Sequence, residues 1–435
     1  MLARSRNREN RFLNGAFHAI SAGRPGVRGL SKGTAAVLLA SLLVATPVTA
    51  TAKDSGFDDD SPSVALDWQR IALRTMFTDS QPPTPVPASP LYLGFTSLAV
   101  DDAVGTAIGK SASASAAAAV AAHDVLVTYF RASTANLDTD LAKSLSAVPN
   151  GRAERDGIEI GKAAAAAMVA SREDDGRNTE HLYKKAHKAG IWQPPATGMA
   201  VPWLGFVKPL VLRNTVSVDG PDPIDSAAYA TDFNEVKRVG SATSSERTAN
   251  QTETAKFFGV NPVVQLRLAL LDHLVSHPLS LARTTQLFAA VDAATADALI
   301  QAWRLKFDIG FWRPFQAIPA ADTDRNDATT ADPAWKPFIE TLPSGTTPPY
   351  PDYVSGHACV VGAFTAAVRP VLGDVSLSIP SLVTNRPERT YPNLSAIEDD
   401  AFMARIWLGI HFRDAMEDGY RIGHETGKQV SSQLT

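Results

Sequence analysis

Apolar residues recur at steps of three and four along most of this chain, and runs that alternate in twos are nearly absent. The pattern predicts helices over residues 64–76, 92–108, 113–131, 137–145 and 153–172. Alanine, the strongest helix former, fills most of 114–122. His123, Asp124, Val125 and Leu126 follow at helical spacing, so that run reads as packed helix and not as linker. Residues 190–224 break the pattern with Trp192, Pro194, Pro195, Pro202, Trp203, Pro209, Pro221 and Pro223. Such a stretch predicts a long irregular segment, anchored by its aromatics over the surface of a bundle. Helical periods resume at 226–241, 248–258, 264–277 and 279–307, with a break expected near Ala293. A proline-bearing loop over 319–351 leads to helices at 355–371 and 396–434, the latter expected to break near Gly419. The chain therefore reads as all-α, with helical bundles in tandem. The first spans 63–255 and includes the irregular connection; the second spans 256–435.

Composition supports a globular reading. Of 435 residues, 45% are hydrophobic and 20% charged, enough to bury a full core. The net charge of −4 argues against a nucleic-acid-binding surface, which needs a basic excess. The single cysteine, Cys359, excludes an intramolecular disulfide and sits in an apolar run as a small core residue. Near the N-terminus, Arg4, Arg6, Arg8, Arg11, Arg24, Arg28 and Lys32 precede an apolar run over 35–45 and then Ala50-Thr51-Ala52. This predicts a signal peptide over 1–52 and a secreted product. The apolar run is too short for a permanent membrane span. Removing 1–52 takes away seven cations and Glu9, a net +6, and shifts the charge from −4 to −10. Residues 53–62 are acidic and polar, and are expected to be disordered.

Three stretches carry candidate chemistry. In WRLKFDIGFWRP, Lys306 and Arg313 stand seven residues apart. On one continuous helix they share a face about 10 Å apart, and two cations aimed at one point need an anion between them. In PPYPDYVSGHACVVG, Ser355 is the expected cap of a helix whose first amides face outward at the positive end of its dipole. Gly356 leaves room for an anion there, and His357 stands beside it as an acid–base group. In ARIWLGIHFR, Arg405 and His411 are six apart, so on a helix they flank a ligand. Together these supply three positive charges, a hydroxyl, a glycine amide and two imidazoles. That set suits a tetrahedral oxyanion.

The order K-x6-R-P, S-G-H, R-x5-H resembles the shared signature of the vanadium-dependent haloperoxidases and type 2 phosphatidic acid phosphatases. It covers residues 303–418. The helical pattern from Leu66 and the segment at 225–240, DSAAYATDFNEVKRVG, are similar to the secreted bacterial haloperoxidase branch. The resemblance implies a vanadate cofactor held through its oxygens by Lys306, Arg313, Ser355, Gly356 and Arg405. It implies that His411 bonds the vanadium and that His357 is the acid–base histidine. Trp303 and Tyr350 are implied to line a halide pocket. The implied reaction oxidises halide with hydrogen peroxide to a hypohalous species, which halogenates a small organic acceptor. The alternative in the same superfamily is a secreted acid phosphatase, in which His411 attacks phosphorus and His357 protonates the leaving alcohol. The chain departs from the pattern at Val354, where proline is usual, and at Ala404, where serine is. Ala415 stands where the phosphatase pattern H-x3-D has aspartate, and Asp414 comes one residue early. The partner orienting His411 is thereby left open. Weaker candidates are the pair His273 and His277, the run Asp322, Asp324, Asn326, and His424 beside Glu425; each lacks the further ligands its motif needs.

Overall fold

The computed structural model describes residues 58–177, 179–343, 345–383 and 387–434. The expected leader, 1–52, and residues 53–57 lie outside the described residues. The first bundle comprises α1 (Ser63–Arg74), α2 (Ser89–Gly109), α3 (Ala114–Tyr129), α4 (Thr134–Ser146) and α5 (Arg152–Ser171). The irregular segment follows, as its prolines predict. Then come α6 (Ala227–Val239), α7 (Ala249–Phe258), α8 (Pro262–Ser276), α9 (Leu281–Ile309), the single turn α10 (Pro314–Ala317) and α11 (Gly356–Leu372). Two short strands, β1 (Leu377–Ile379) and β2 (Arg389–Tyr391), precede α12 (Leu394–Trp407) and α13 (Arg413–Leu434).

Three local features differ from the sequence reading. α9 runs unbroken through Ala293, which is fully buried. The last helical stretch divides at residues 408–412 and not at Gly419. β1 and β2 pair antiparallel, Leu377 opposite Tyr391; three residues are too few to show an alternating pattern. The acidic segment is described from Asp58 onward, and Asp59 is ordered onto α3. Its carboxylate accepts from Ser113 Oγ at 2.9 Å and from the amides of Ala114 and Ser115 at 2.7 and 3.0 Å. The orphan amides at a helix N-terminus explain why an acidic residue is held there.

α9 is the axis of the molecule. α2 lies along one side of it, and α11 and α13 along another. One apolar core therefore runs from the first bundle into the second. A buried polar network crosses that junction. Arg267 of α8 pairs with Asp292 of α9, Ser97 Oγ of α2 donates to Asp292 at 2.5 Å, and Gln69 Nε2 of α1 donates to Ser97 at 2.9 Å. One turn and a half further along α9, buried Asp297 accepts three backbone amides, those of Leu210, Val211 and Leu212, at 2.6–2.9 Å. This ties the irregular segment to α9. Among the described residues no helix is long and apolar enough to cross a membrane.

Candidate active site

Lys306 lies in the last turn of α9, which stops at Gly310. That glycine has φ +72° and donates its amide to the Lys306 carbonyl at 2.8 Å, a left-handed cap. Beyond it the backbone is extended. Trp192 donates to the Gly310 carbonyl at 2.8 Å, and Trp312 donates to that of Gly190 at 3.0 Å. Arg313 precedes Pro314, which opens α10. The expected shared helical face of Lys306 and Arg313 is therefore not formed; a helix end and a turn separate them. The turn nonetheless brings both cations, fully buried, onto one loop. Lys306 Nζ donates to the carbonyls of Pro351 and Asp352, each at 2.8 Å. Arg313 donates to Tyr350 O at 2.7 Å, Pro351 O at 3.3 Å and Ile410 O at 2.6 Å.

Ser355 caps α11 as its sequence predicts, accepting from the Ala358 amide at 3.3 Å. Its own amide donates to Ala415 O at 2.7 Å, which fastens α11 to α13. His357 follows in the first turn, with Nε2 buried and unpartnered. A Cβ at Gly356 would stand 2.8 Å from the Trp303 ring, so the packing of that tryptophan also demands glycine here. Trp303 donates Nε1 to Ala200 O at 3.2 Å, and its ring centroid lies 4.9 Å from that of Tyr350. Lys306 Nζ stands 5.6 Å and 5.2 Å from these two rings.

Arg405 is in the last turn of α12, half-buried, with one guanidinium nitrogen donating to Phe258 O at 3.2 Å and its Nε unpartnered. Gly409, at φ +75°, then turns the chain. His411 lies in that turn and not on the helix, so the expected 120° separation on one helix is replaced by a bend. The bend delivers His411 Nε2 to 3.5 Å from Arg313 Nη1. Behind it stands α6, whose Tyr229 ring packs 5.5 Å from Phe412 and 6.2 Å from Phe311. Glu235 of α6 also pairs with Arg413 at 2.6 Å.

The three motifs are thus brought together: Arg313 reaches His411 and Tyr350, Lys306 reaches Trp303 and Tyr350, Gly356 packs on Trp303, and Arg405 lies close enough to act on both histidines. Sequence reasoning missed Asp352. Its Oδ1 lies 2.7 Å from His411 Nδ1 and 3.5 Å from Arg313 Nη1, close to both but aligned with neither for a hydrogen bond. Nothing in a motif marked it, because it comes from the loop before Ser355 and not from the H-x3-D position. Asp414 is turned away: it accepts from the Asp222 amide at 3.1 Å, and its own amide donates to Asp232 at 2.8 Å.

Electrostatics follow from burial. His357 and His411 are held well below the usual imidazole range by burial first, then by Arg405 for His357 and by Arg313 and Lys306 for His411. Lys306 is likewise pushed well down by burial and by Arg313. Burial lifts Asp352 to about 7, although Arg313 and Lys306 pull it the other way. The pocket as built carries more positive than negative charge, and an anion inside it reverses these pressures.

The weaker candidates fall elsewhere. The rings of His273 and His277 stack 4.4 Å apart at the surface. Asp324 caps its own loop, accepting from the Asn326 amide at 2.9 Å and Thr329 Oγ1 at 2.8 Å. His424 meets Glu398 at 2.9 Å, while its neighbour Glu425 pairs with Lys428.

Residues 286–435 match the family described as the VCPO second helical-bundle domain. A stretch of 153 residues is 36% identical to the vanadium chloroperoxidase of Curvularia inaequalis, covering 30% of this chain and 24% of that protein. The chain thus spans about a quarter of the length of that curated relative. In three dimensions it is similar to a bacterial vanadium-dependent iodoperoxidase, with TM-score 0.70 and 21% identity over 88% of this chain and 99% of the other. It is also similar to a bacterial vanadium-dependent chloroperoxidase, with TM-score 0.65 and 16% identity over 87% and 99%. The C-terminal bundle is thus similar to the VCPO second helical-bundle domain. Over the described residues the chain has the fold of these bacterial vanadium-dependent haloperoxidases.

Proposed function

We propose that the chain is a vanadate-dependent haloperoxidase, using hydrogen peroxide to oxidise a halide that then halogenates a small organic acceptor. The observation that carries this reading is the cationic pocket itself. Buried Lys306 and Arg313 face half-buried Arg405, while His357 Nε2 and Arg405 Nε stand there without protein partners. Desolvated cations are costly unless an anion offsets them, and unpartnered buried nitrogens ask for an oxygen.

Vanadate fits this donor set. Lys306, Arg313, Ser355, the Gly356 amide and Arg405 would hold its oxygens, and His411 Nε2, which faces Arg313, would bond the metal. Bound there, vanadium supplies Lewis acidity that activates peroxide toward a halide. The remaining work belongs to the chain. His357, neutral because burial disfavours its charged form, accepts a proton at Nε2 and returns it in the same cycle. Lys306 Nζ and the two guanidinium groups stabilise negative charge as it shifts between oxygens, in a pocket from which water is largely excluded. Trp303 and Tyr350 form an aromatic wall beside Lys306, suited to a weakly hydrated halide. The basic and apolar leader supports export, which the N-terminal sequence of the mature protein would test.

The decisive assay uses purified protein loaded with orthovanadate, with vanadium measured by elemental analysis. Bromination of an indicator dye should require vanadate, peroxide and halide together. Loaded protein inert toward chloride, bromide and iodide alike would sink the reading. Phosphomonoester hydrolysis inhibited by vanadate would replace it with the phosphatase alternative.

A further inference from the structure

The residue that ties the pocket together lies in the stretch before Ser355 but outside the K-x6-R-P, S-G-H and R-x5-H signature. Asp352 engages three separate elements at once. Its amide donates to Phe311 O at 2.9 Å, and its carbonyl accepts Lys306 Nζ at 2.8 Å. Its Oδ2 accepts the Phe412 amide at 3.3 Å, which fixes the carboxylate plane beside the His411 turn. Its Oδ1 is left facing Arg313 Nη1 at 3.5 Å and His411 Nδ1 at 2.7 Å. The two atoms are within hydrogen-bond distance although the ring N–H is not aimed at the oxygen, and catalytic contacts of this kind often align only when a site is loaded. The helix position from which a carboxylate could otherwise reach this imidazole is Ala415, and Asp414 is engaged by Asp222 and Asp232.

We propose that Asp352 is the positioning residue for His411: it holds the imidazole with the proton on Nδ1 and leaves Nε2 bare toward the cationic pocket. The role normally given to a carboxylate on the following helix has moved to the loop before Ser355. The physical logic is that of a ligating histidine whose second ring nitrogen is bonded to a carboxylate, which fixes tautomer and ring orientation and raises ligand basicity. The inference rests on the reading of His411 as the vanadium-bonding residue. Its direct consequence, the tautomer, is a property of the protein without vanadate.

The test compares wild type with Asp352→Asn, which keeps an acceptor, and Asp352→Leu, which keeps the volume but no acceptor. Nitrogen-15 spectra of the histidine rings in the vanadate-free protein, assigned by loss of the signal in His411→Ala, report the tautomer. Wild type and Asp352→Asn should show His411 protonated at Nδ1; Asp352→Leu should lose that preference. The vanadate Kd should rise about 10–100-fold in Asp352→Leu, the range for loss of such partners, and by less in Asp352→Asn. An unchanged tautomer and an unchanged Kd in folded Asp352→Leu would overturn the proposal. If that variant does not fold, Asp352→Asn decides: a Kd equal to wild type overturns it, and a weakened Kd with the Nδ1 proton retained supports it. Wild type that fails to bind vanadate at all sinks the haloperoxidase reading instead, and the tautomer comparison still decides this one.

Discussion

His357 and His411 are both buried imidazoles near the same guanidinium groups, yet their surroundings give them different work. His411 has a carboxylate 2.7 Å from Nδ1 and a cation 3.5 Å from Nε2, so its ring stands between opposite charges. His357 has an unpartnered Nε2, free to exchange a proton with whatever occupies the pocket. This divides the roles without reference to any motif. Replacing His357 with alanine should lower the halogenation kcat by about 10²–10⁴-fold, the usual worth of a placed acid–base group. Vanadate affinity should change far less, because the charge that holds the anion sits on Lys306, Arg313 and Arg405. Steady-state kinetics alongside a vanadate titration would separate the two effects. Equal losses in both would mean that His357 acts mainly as an anion ligand.

At the scale of elements, the pocket is made of ends and turns. α9 delivers Lys306 from its last turn, α11 offers its N-terminal amides, and α12 stops four residues before His411. Two left-handed glycines, Gly310 and Gly409, make the two stops possible. Gly409 is the more constrained, because a Cβ there would stand 2.4 Å from the Gly240 carbonyl oxygen. Gly409→Ala should therefore cost more than the roughly 1–2 kcal/mol of a left-handed backbone alone. It should also displace His411. A lowered thermal midpoint together with weakened vanadate binding is the expected result; a variant with wild-type melting would show that the turn relaxes freely. The helices themselves were legible from their apolar periods, and Ser355 was legible as a cap. The stops were not. Lys306 and Arg313 fall at a helical spacing, and the sequence pattern cannot distinguish a continuing helix from one that caps and turns while keeping both side chains directed at the same loop.

Across the whole molecule, the site depends on the first bundle holding α9 in place. Gln69, Ser97, Arg267 and Asp292 join α1, α2, α8 and α9 in one buried network, and Asp297 fastens the irregular segment to the same helix. Breaking a buried ion pair by removing one partner strands the other charge. Arg267→Met should thus cost about 3–5 kcal/mol, read by denaturant unfolding. Since one apolar core spans both bundles, the loss should appear as a shift of the main transition. A separate early transition confined to the first bundle would show that the bundles unfold independently.

The sequence by itself determined the helices, the absence of long strands among the described residues and the residue types of the oxyanion pocket, because periodicity and charge are local properties of the chain. It also marked the prolines of the irregular segment and the cap at Ser355. Only the tertiary structure decided where α9 and α12 stop, which way Asp414 faces, and that Asp352 stands against His411. Those are outcomes of packing between segments far apart in the chain: α6 against the His411 turn, Trp192 against the Gly310 cap, and Ala415 against the amide of Ser355. A carboxylate fifty-nine residues from its imidazole leaves no spacing to read; its partner is set by the fold that brings two loops together.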